Sequence, residues 1–150
     1  MMMLPVALTI AGAAALLNLW LGLRVSLLRR RHGVALGSGG NSAIEARMRA
    51  HANFTEYAPM FLILLLLVEL AGAATGWLWA AGILFVLARL LHPFGMDRPG
   101  ANAFRAVGIV GTWAAMLGLA VAALALPYTA RTAEPAISFA SASAGGTKPS

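Results

Sequence analysis

The first charged side chain of the chain is Arg24, so residues 1–23 form one uncharged and mainly apolar run. A helix needs about 20 apolar residues to cross the hydrocarbon core of a bilayer. The run lacks the basic start of a cleaved signal peptide, and we expect it to remain as a membrane helix. Three further apolar segments follow it along the chain. The sequence therefore predicts an all-α integral membrane protein, a four-transmembrane-helix bundle in up-down-up-down order.

The same segments predict the domain organisation. We expect the four helices at about residues 4–28, 42–71, 76–92 and 103–126. Pro93 and Pro127 are expected to end the third and fourth helices, because proline lacks the N–H group that a helix interior uses. The membrane domain covers residues 1–130. Residues 131–150 are rich in Ala, Ser, Gly and Pro without periodicity, which predicts a disordered tail.

Composition excludes several classes of function. Charged residues make up 11% of the chain, whereas a soluble domain carries roughly 25%. Cysteine is absent, which excludes disulfides, a cysteine nucleophile and a cysteine-based metal site, and no other metal site is indicated. The formal charge of +6 comes almost wholly from arginine. Since no nucleic-acid-binding motif accompanies it, we interpret this charge as a determinant of membrane topology and expect no nucleic-acid partner.

The basic residues are distributed asymmetrically. Of eleven, six lie within residues 24–49 and three more are Arg89, Arg98 and Arg105. All nine fall at one end of the predicted bundle. Because cytoplasmic loops of membrane proteins carry an excess of Lys and Arg, this end is predicted to face the cytoplasm. Both termini then lie on the non-cytoplasmic side.

Two polar residues stand apart within the apolar segments. Asn18, in the first helix, is expected to form a hydrogen bond to a neighbouring helix. Glu69 lies near the far end of the second helix. It is expected to snorkel to the interface, to pair across helices, or to relay protons, and the sequence leaves these alternatives open.

The most polar stretch of the predicted helices covers residues 47–59, at the start of the second helix. At about 100° per residue, Arg49, Asn53 and Glu56 share one face, and His51 lies roughly opposite. A cation, an amide and a carboxylate on one stripe of a membrane helix predict a polar site. An Arg49–Glu56 ion pair that only joins helices is an equally good interpretation.

The predicted topology gathers further polar residues at the same end as this stripe: Arg24, Arg89, His92 and Arg105. Several arginines near one carboxylate leave an excess of positive charge. Such an excess predicts an anionic ligand, either a lipid headgroup or a polyanionic small molecule.

The stretch from Arg49 to Pro59 reads Arg-Ala-His-Ala-Asn-Phe-Thr-Glu-Tyr-Ala-Pro. It resembles the helix-two signature of the MAPEG family, the membrane-associated proteins of eicosanoid and glutathione metabolism. The segment 88–92 and the position of Arg105 support the resemblance, which covers all four helices. The whole pattern is most similar to the small bacterial inner-membrane branch. The resemblance implies a homotrimer in the inner membrane that binds glutathione between subunits, on the cytoplasmic side.

The resemblance also implies the residues that bind glutathione: Arg24, Arg49, His51, Asn53, Glu56, Tyr57 and His92. The two arginines would hold the carboxylates of glutathione. The asparagine and the glutamate would bind its peptide and amino groups, and the histidines and the tyrosine would line the site.

Arg105 is implied to be catalytic, because its position matches the arginine that stabilises the thiolate in the eicosanoid enzymes. A thiol of pKa ~8.5 is mostly protonated at neutral pH, and a nearby guanidinium favours the reactive anion. One position departs from the family pattern. Several members have an aromatic hydroxyl four residues after His92, where this chain has Met96, and a thioether cannot donate a hydrogen bond to a thiolate.

Taken together, these features predict a glutathione-dependent membrane enzyme of transferase or peroxidase type. Its second substrate would be a lipophilic electrophile that enters from the lipid bilayer. Two alternatives stay open. One is a membrane binding or structural protein that retains a glutathione-like pocket without activity. The other is a small proton-coupled transporter with Glu56 or Glu69 as the proton carrier.

Overall fold

The computed structural model describes residues 3–132, with side chains as far as Tyr128. This part of the chain folds into four helices: α1 (Pro5–Arg31), α2 (Ser42–Leu70), α3 (Thr75–Met96) and α4 (Ala103–Thr132). All four are long and apolar enough to cross a membrane, and no strand occurs between residues 3 and 132. The prediction of an all-α, four-helix membrane bundle is confirmed.

The helices run in alternating directions, so α1 and α3 end where α2 and α4 begin. We call this the arginine-rich end. The last turn of α1 contains three arginines in sequence, residues 29–31, where positive charge stabilises the carboxyl end of a helix dipole. Asn41 caps α2, because its side-chain oxygen accepts the N–H groups of Ala43 at 2.9 Å and Ile44 at 3.2 Å.

Two helices continue past the prolines that were expected to end them. The prediction that α3 ends at His92 is wrong, because the helix runs through Pro93 to Met96. In the same way α4 runs through Pro127 to Thr132. A membrane helix tolerates an internal proline when neighbouring groups and local adjustments satisfy the freed carbonyl. The extra turn of α3 carries Met96. Of the predicted tail, residues 133–150 lie outside the described part of the chain.

The interior is held by close packing between apolar and small side chains. The rings of Phe61 in α2 and Phe85 in α3 stack with centroids 3.9 Å apart and an angle of 4° between planes. The backbones of α3 and α4 approach each other closely at Gly108. A Cβ atom at this position would lie 2.8 Å from the Cβ of His92. Small residues allow membrane helices this approach, which brings the last turns of α3 against the start of α4.

The polar contacts between α1 and α2 include those of Asn18 and Glu69. The Asn18 side-chain oxygen lies 2.9 Å from Nε2 of His51, which confirms the predicted interhelical hydrogen bond of Asn18. At the opposite end, the buried Glu69 carboxylate accepts the backbone N–H groups of Val6 at 3.0 Å and Ala7 at 2.7 Å. The N-cap residue of α1, Leu4, offers no side-chain acceptor, so the carboxylate of another helix caps it. Of the alternatives for Glu69, the structure shows pairing across helices.

Candidate functional site

A polar pocket of about 300 Å³ lies between α2, α3 and α4, toward the arginine-rich end. Eight side chains line it: Arg49, Asn53, Tyr57, His92, Met96, Arg105, Ile109 and Trp113. Five of these were predicted as site residues: Arg49, Asn53, Tyr57, His92 and Arg105. The structure therefore brings together most of a predicted set that is dispersed over four helices.

Helical periodicity places these residues. On α2 the pocket takes Arg49, Asn53 and Tyr57, which are four residues apart and share a face. The same spacing recurs on α3 and α4, in the lining residues at 92 and 96 and at 105, 109 and 113. The pocket is thus a crevice between three parallel rows of side chains. At 1.5 Å per residue, it reaches from about 10 Å to about 22 Å along α2 from Ser42.

The connection between α3 and α4 fixes the position of Arg105. Asn102 accepts the backbone N–H of Arg105 at 3.1 Å and donates to the carbonyl of Gly95 at 2.8 Å. Gly95 must be glycine, because a Cβ atom there would lie 2.3 Å from the backbone nitrogen of Arg105. The first turn of α4 is therefore clamped to the last turn of α3, which holds Arg105 beside His92 and Met96.

Arg89 lies behind the wall of the pocket and is only 1% exposed. Its guanidinium donates to the Asn53 side-chain oxygen at 2.8 Å and to the Gly108 carbonyl at 3.3 Å. It also lies 5.5 Å from the centroid of the Tyr57 ring, within the range of a cation–π interaction. Its buried Nε atom has no hydrogen-bond partner among residues 3–132. Within the described residues no carboxylate forms an ion pair with Arg89.

Tyr57 carries the one hydroxyl group among the eight lining side chains. Its oxygen accepts the indole N–H of Trp113 at 3.2 Å, and its own proton is not donated to any residue that the structure describes. His92 is 5% exposed, and its buried Nδ1 has no partner in this part of the chain. The pocket therefore presents unused hydrogen-bonding capacity together with two arginine side chains.

The predicted site residue Arg24 lies outside the pocket. Its guanidinium pairs with the carboxylate of Asp97, in the loop after α3, and lies 4.7 Å from the centroid of the Trp20 ring. Arg47 joins the same cluster, with its Nε 3.6 Å from Asp97 and its Nη1 donating to the Arg24 carbonyl at 3.3 Å. In this cluster the Asp97 carboxylate neutralises part of the positive charge of the arginines. Arg89, in contrast, has no carboxylate partner among the described residues.

His51 and Glu56 also lie outside the pocket. His51 faces α1, as its position opposite the stripe predicts, and contacts Asn18. Glu56 is exposed. Among the described residues it forms no ion pair, and neither does Arg49. The Arg49–Glu56 pair that would only join helices is therefore not formed in the structure.

The sequence places Arg89 at this end of the membrane but gives it no role. The signal that could have identified it is its position, since an ionisable residue within an apolar membrane helix is a functional candidate by default. Trp113 carries no such signal, because tryptophan is common at membrane interfaces. Within residues 3–132, no group of three or more His, Asp or Glu side chains could hold a metal ion.

Comparison with known proteins gives two findings. The model of the MAPEG family matches residues 7–125, which contain every residue of the pocket. The chain is also 34% identical over 114 residues to the inner membrane protein YecN of Escherichia coli strain K12, an alignment that covers 76% of this chain and 86% of YecN. The YecN protein of Escherichia coli O6:H1 matches with the same identity and coverage.

Proposed function

The chain belongs to the MAPEG family, and from this premise we propose that it is a glutathione-dependent enzyme of the inner membrane. It would transfer glutathione to, or reduce with glutathione, a lipophilic electrophile. The observation that carries the proposal is the imbalance of charge in the pocket. Arg49 and Arg105 line it, Arg89 lies behind its wall, and none of the three is paired with a carboxylate among the described residues.

Glutathione fits this imbalance chemically. It carries two carboxylates, one ammonium group and one thiol, so its net charge is negative. A guanidinium grips a carboxylate with two parallel hydrogen bonds, which supports Arg49 as an anchor. The Asn53 side chain, held by Arg89 at 2.8 Å, is positioned to bind the peptide group. A ligand of this kind would supply the negative charge that the protein lacks at this point.

Arg105 is the residue that we propose to act on sulfur. Its positive charge favours the thiolate over the thiol, and the start of α4 adds a potential of the same sign worth about 0.3–1 kcal/mol. In transfer, the thiolate attacks the electrophilic atom of the second substrate, and the leaving group departs with the electron pair of the broken bond. In reduction, the thiolate attacks a peroxide oxygen, the O–O bond breaks and releases the alcohol, and a second glutathione converts the resulting sulfenic acid into glutathione disulfide and water. The Tyr57 hydroxyl offers the hydrogen bond that Met96 cannot donate.

We propose that a homotrimer completes the site. In one protomer the pocket is open toward the surface, and the lining residues Arg49, Arg105 and Trp113 are exposed. A neighbouring protomer would cover this side at Arg49 and Arg105, leave it open toward lipid at Trp113, and bring its own Arg24, His51 and Glu56 to the site. The distribution of arginines supports an orientation with the pocket on the cytoplasmic side and both termini on the other.

A second candidate is a membrane protein that binds glutathione without turnover. Met96 favours it, because the side chain lines the pocket but offers no donor to an anion. No comparable observation favours the transporter hypothesis. Both oxygens of Glu69 already accept backbone N–H groups at 2.7 and 3.0 Å, so this carboxylate serves as a helix cap.

The proposal is tested by calorimetric titration of the purified protein with glutathione, followed by turnover with 1-chloro-2,4-dinitrobenzene and with cumene hydroperoxide. Binding with either turnover supports the enzyme. Binding with neither supports the second candidate, and absence of binding contradicts both. Glu56→Gln is expected to weaken glutathione binding, whereas the matched variant Glu69→Gln, at the other end of α2, is expected to leave it unchanged.

A further inference from the structure

A second cavity, of about 510 Å³, lies directly beyond the pocket at the arginine-rich end. We call it the vestibule. Its lining comes from the first turns of α2 and from the end of α3 with the loop that follows: Ser42, Ala43, Ala46, Arg47, Met96, Asp97, Arg98 and Pro99.

The vestibule and the pocket are consecutive parts of one crevice. On α2, Ser42 and Ala46 line the vestibule, and Arg49 and Asn53 line the pocket. These residues are three or four apart and so follow one face of the helix. Met96 belongs to the walls of both cavities. It is therefore the side chain that stands where the two cavities meet.

The chemistry of the two openings differs. On its lateral side the pocket is lined by the apolar side chain of Trp113 on α4, which is 53% exposed. An ion crosses hydrocarbon only at a cost of several kcal/mol, so this side suits a lipophilic substrate. The vestibule carries Arg47 and Arg98 beside Asp97, which is already paired with Arg24. The excess positive charge of this cluster attracts anions from water.

Methionine suits a movable partition. Its unbranched side chain has three rotatable bonds and fills irregular spaces, so it changes rotamer at little cost. Met96 also lies at the last residue of α3, where no further helical turn packs against it from the C-terminal side. A rotation of this one side chain would join the two cavities.

We propose that the vestibule is the entrance for the water-soluble anionic ligand, and that the Met96 side chain gates its passage into the pocket. For glutathione as that ligand, the inference rests on the proposed function. Anionic molecules collect in the vestibule and pass Met96 to reach Arg49 and Arg105. The lipophilic substrate reaches the same pocket through the lateral opening, so that the two substrates do not compete for one path.

The gate is tested without glutathione, by cysteine labelling of the full-length protein in lipid nanodiscs. The native chain contains no cysteine, so a single introduced thiol reports its own site. Ile109→Cys places a thiol in the pocket, and Ala46→Cys places one in the vestibule. The probe is the anionic reagent 2-sulfonatoethyl methanethiosulfonate, which does not cross lipid. Labelling rates are compared in the Met96, Met96→Ala and Met96→Trp backgrounds.

We expect Met96→Ala to raise the labelling rate of Ile109→Cys about tenfold and Met96→Trp to lower it about tenfold. The rate at Ala46→Cys should change by less than a factor of about two, since this thiol lies before the gate. Met60→Ala is the matched control, because Met60 is 53% exposed on α2 and lines neither cavity. It should leave both rates unchanged. Equal rates at Ile109→Cys in all three Met96 backgrounds, or parallel changes at Ala46→Cys, would overturn the gate.

A second measurement separates the gate from the proposed function. By stopped-flow, Met96→Ala should raise the association and dissociation rates of glutathione together and leave Kd nearly constant, because a gate changes the barrier and not the end states. If the wild type fails to bind glutathione while labelling still depends on Met96, the gate stands and the proposed function fails. If glutathione binds while labelling ignores Met96, the proposed function stands and the gate is refuted.

Discussion

Two buried ionisable residues at opposite ends of the bundle show how differently one fold can treat a charge. Glu69 is 8% exposed and Arg89 is 1% exposed. The Glu69 carboxylate accepts two N–H groups at the start of α1, where the helix dipole is also positive. Arg89 has five N–H donors. In the described part of the chain its partners are an amide oxygen, a carbonyl oxygen and an aromatic ring, and its Nε has none.

Glu69 and Arg89 differ in how far the fold compensates their charges. At Glu69 the fold itself provides every compensating group, so the residue needs nothing from outside and its role is to join α1 to α2. At Arg89 the fold provides only neutral oxygens, and the pocket next to it adds two more arginines, Arg49 and Arg105. The missing negative charge is what a ligand can bring.

The largest effect is expected from Arg89→Met, measured on glutathione binding. Loss of the guanidinium removes positive potential from the pocket and releases Asn53, and we expect glutathione affinity to fall about 100-fold, equivalent to about 2.7 kcal/mol. Stability should change by less than about 1 kcal/mol, because an apolar side chain of similar length often replaces a buried charge without loss. Calorimetric titration measures the change in glutathione affinity, and unfolding in detergent measures the change in stability. A variant that unfolds but still binds when folded would place Arg89 with Glu69 as a structural residue.

The reverse pattern is expected from Glu69→Ala. This change leaves the N–H groups of Val6 and Ala7 without their acceptor, and we expect stability to fall by about 2–3 kcal/mol. Glutathione affinity of the folded protein should be unaltered, since the pocket lies at the other end. Glu69→Gln keeps one acceptor oxygen and should lose about half as much stability. Unchanged unfolding in both variants would mean that the cap contributes nothing.

Arg105→Ala should leave glutathione binding nearly unchanged but impair activation of the bound thiol. Arg105 is exposed at the mouth of the pocket, and Arg49 remains to anchor a carboxylate, so glutathione affinity should change by less than about threefold. The pKa of the bound thiol should rise by about one unit, because the thiolate loses its nearest positive charge. Thiolate absorbance in the ultraviolet, followed as glutathione is titrated at several pH values, measures that pKa. An identical thiol pKa in wild type and variant would refute the activating role.

The smallest effect is expected at the partly exposed ion pair between Arg24 and Asp97. The side chains of Arg24 and Asp97 are 14% and 31% exposed, and partly exposed ion pairs contribute about 0–1 kcal/mol. Asp97→Asn should therefore lower stability by no more than about 1 kcal/mol. The measurement is again unfolding in detergent, with Glu45→Gln, an exposed carboxylate in the first turn of α2, as the control. A loss as large as that of Glu69→Ala would show that this cluster is a second structural centre.

The sequence predicts the fold well because length and apolarity alone decide whether a helix can span a bilayer. It also predicts the Arg49 and Asn53 face, because helical periodicity is local. It fails where the deciding partner is distant or has no side-chain signature. The hydrogen-bond donors to Glu69 are backbone N–H groups 62 and 63 residues away. The ion-pair partner of Arg24, Asp97, is 73 residues away.

The prediction of where α3 ends fails for a different reason. Proline usually ends a helix, but α3 continues for another turn beyond Pro93, where its last turn is clamped to α4 through Gly95 and Asn102. A rule about local backbone geometry cannot anticipate a contact made by another helix. The residue that this turn delivers, Met96, lines both cavities, so the error in the helix boundary falls on a residue with a proposed role.

The pocket lacks negative charge, and we propose that glutathione supplies it. Titration of the purified protein with glutathione and, in parallel, with its diethyl ester, in which both carboxylates are blocked, measures how much of the affinity depends on this charge. The charge imbalance around Arg49, Arg89 and Arg105 predicts binding of glutathione and an affinity for the diester at least about tenfold lower, equivalent to about 1.4 kcal/mol. Equal affinity for the two compounds, or binding of neither, would contradict this proposal.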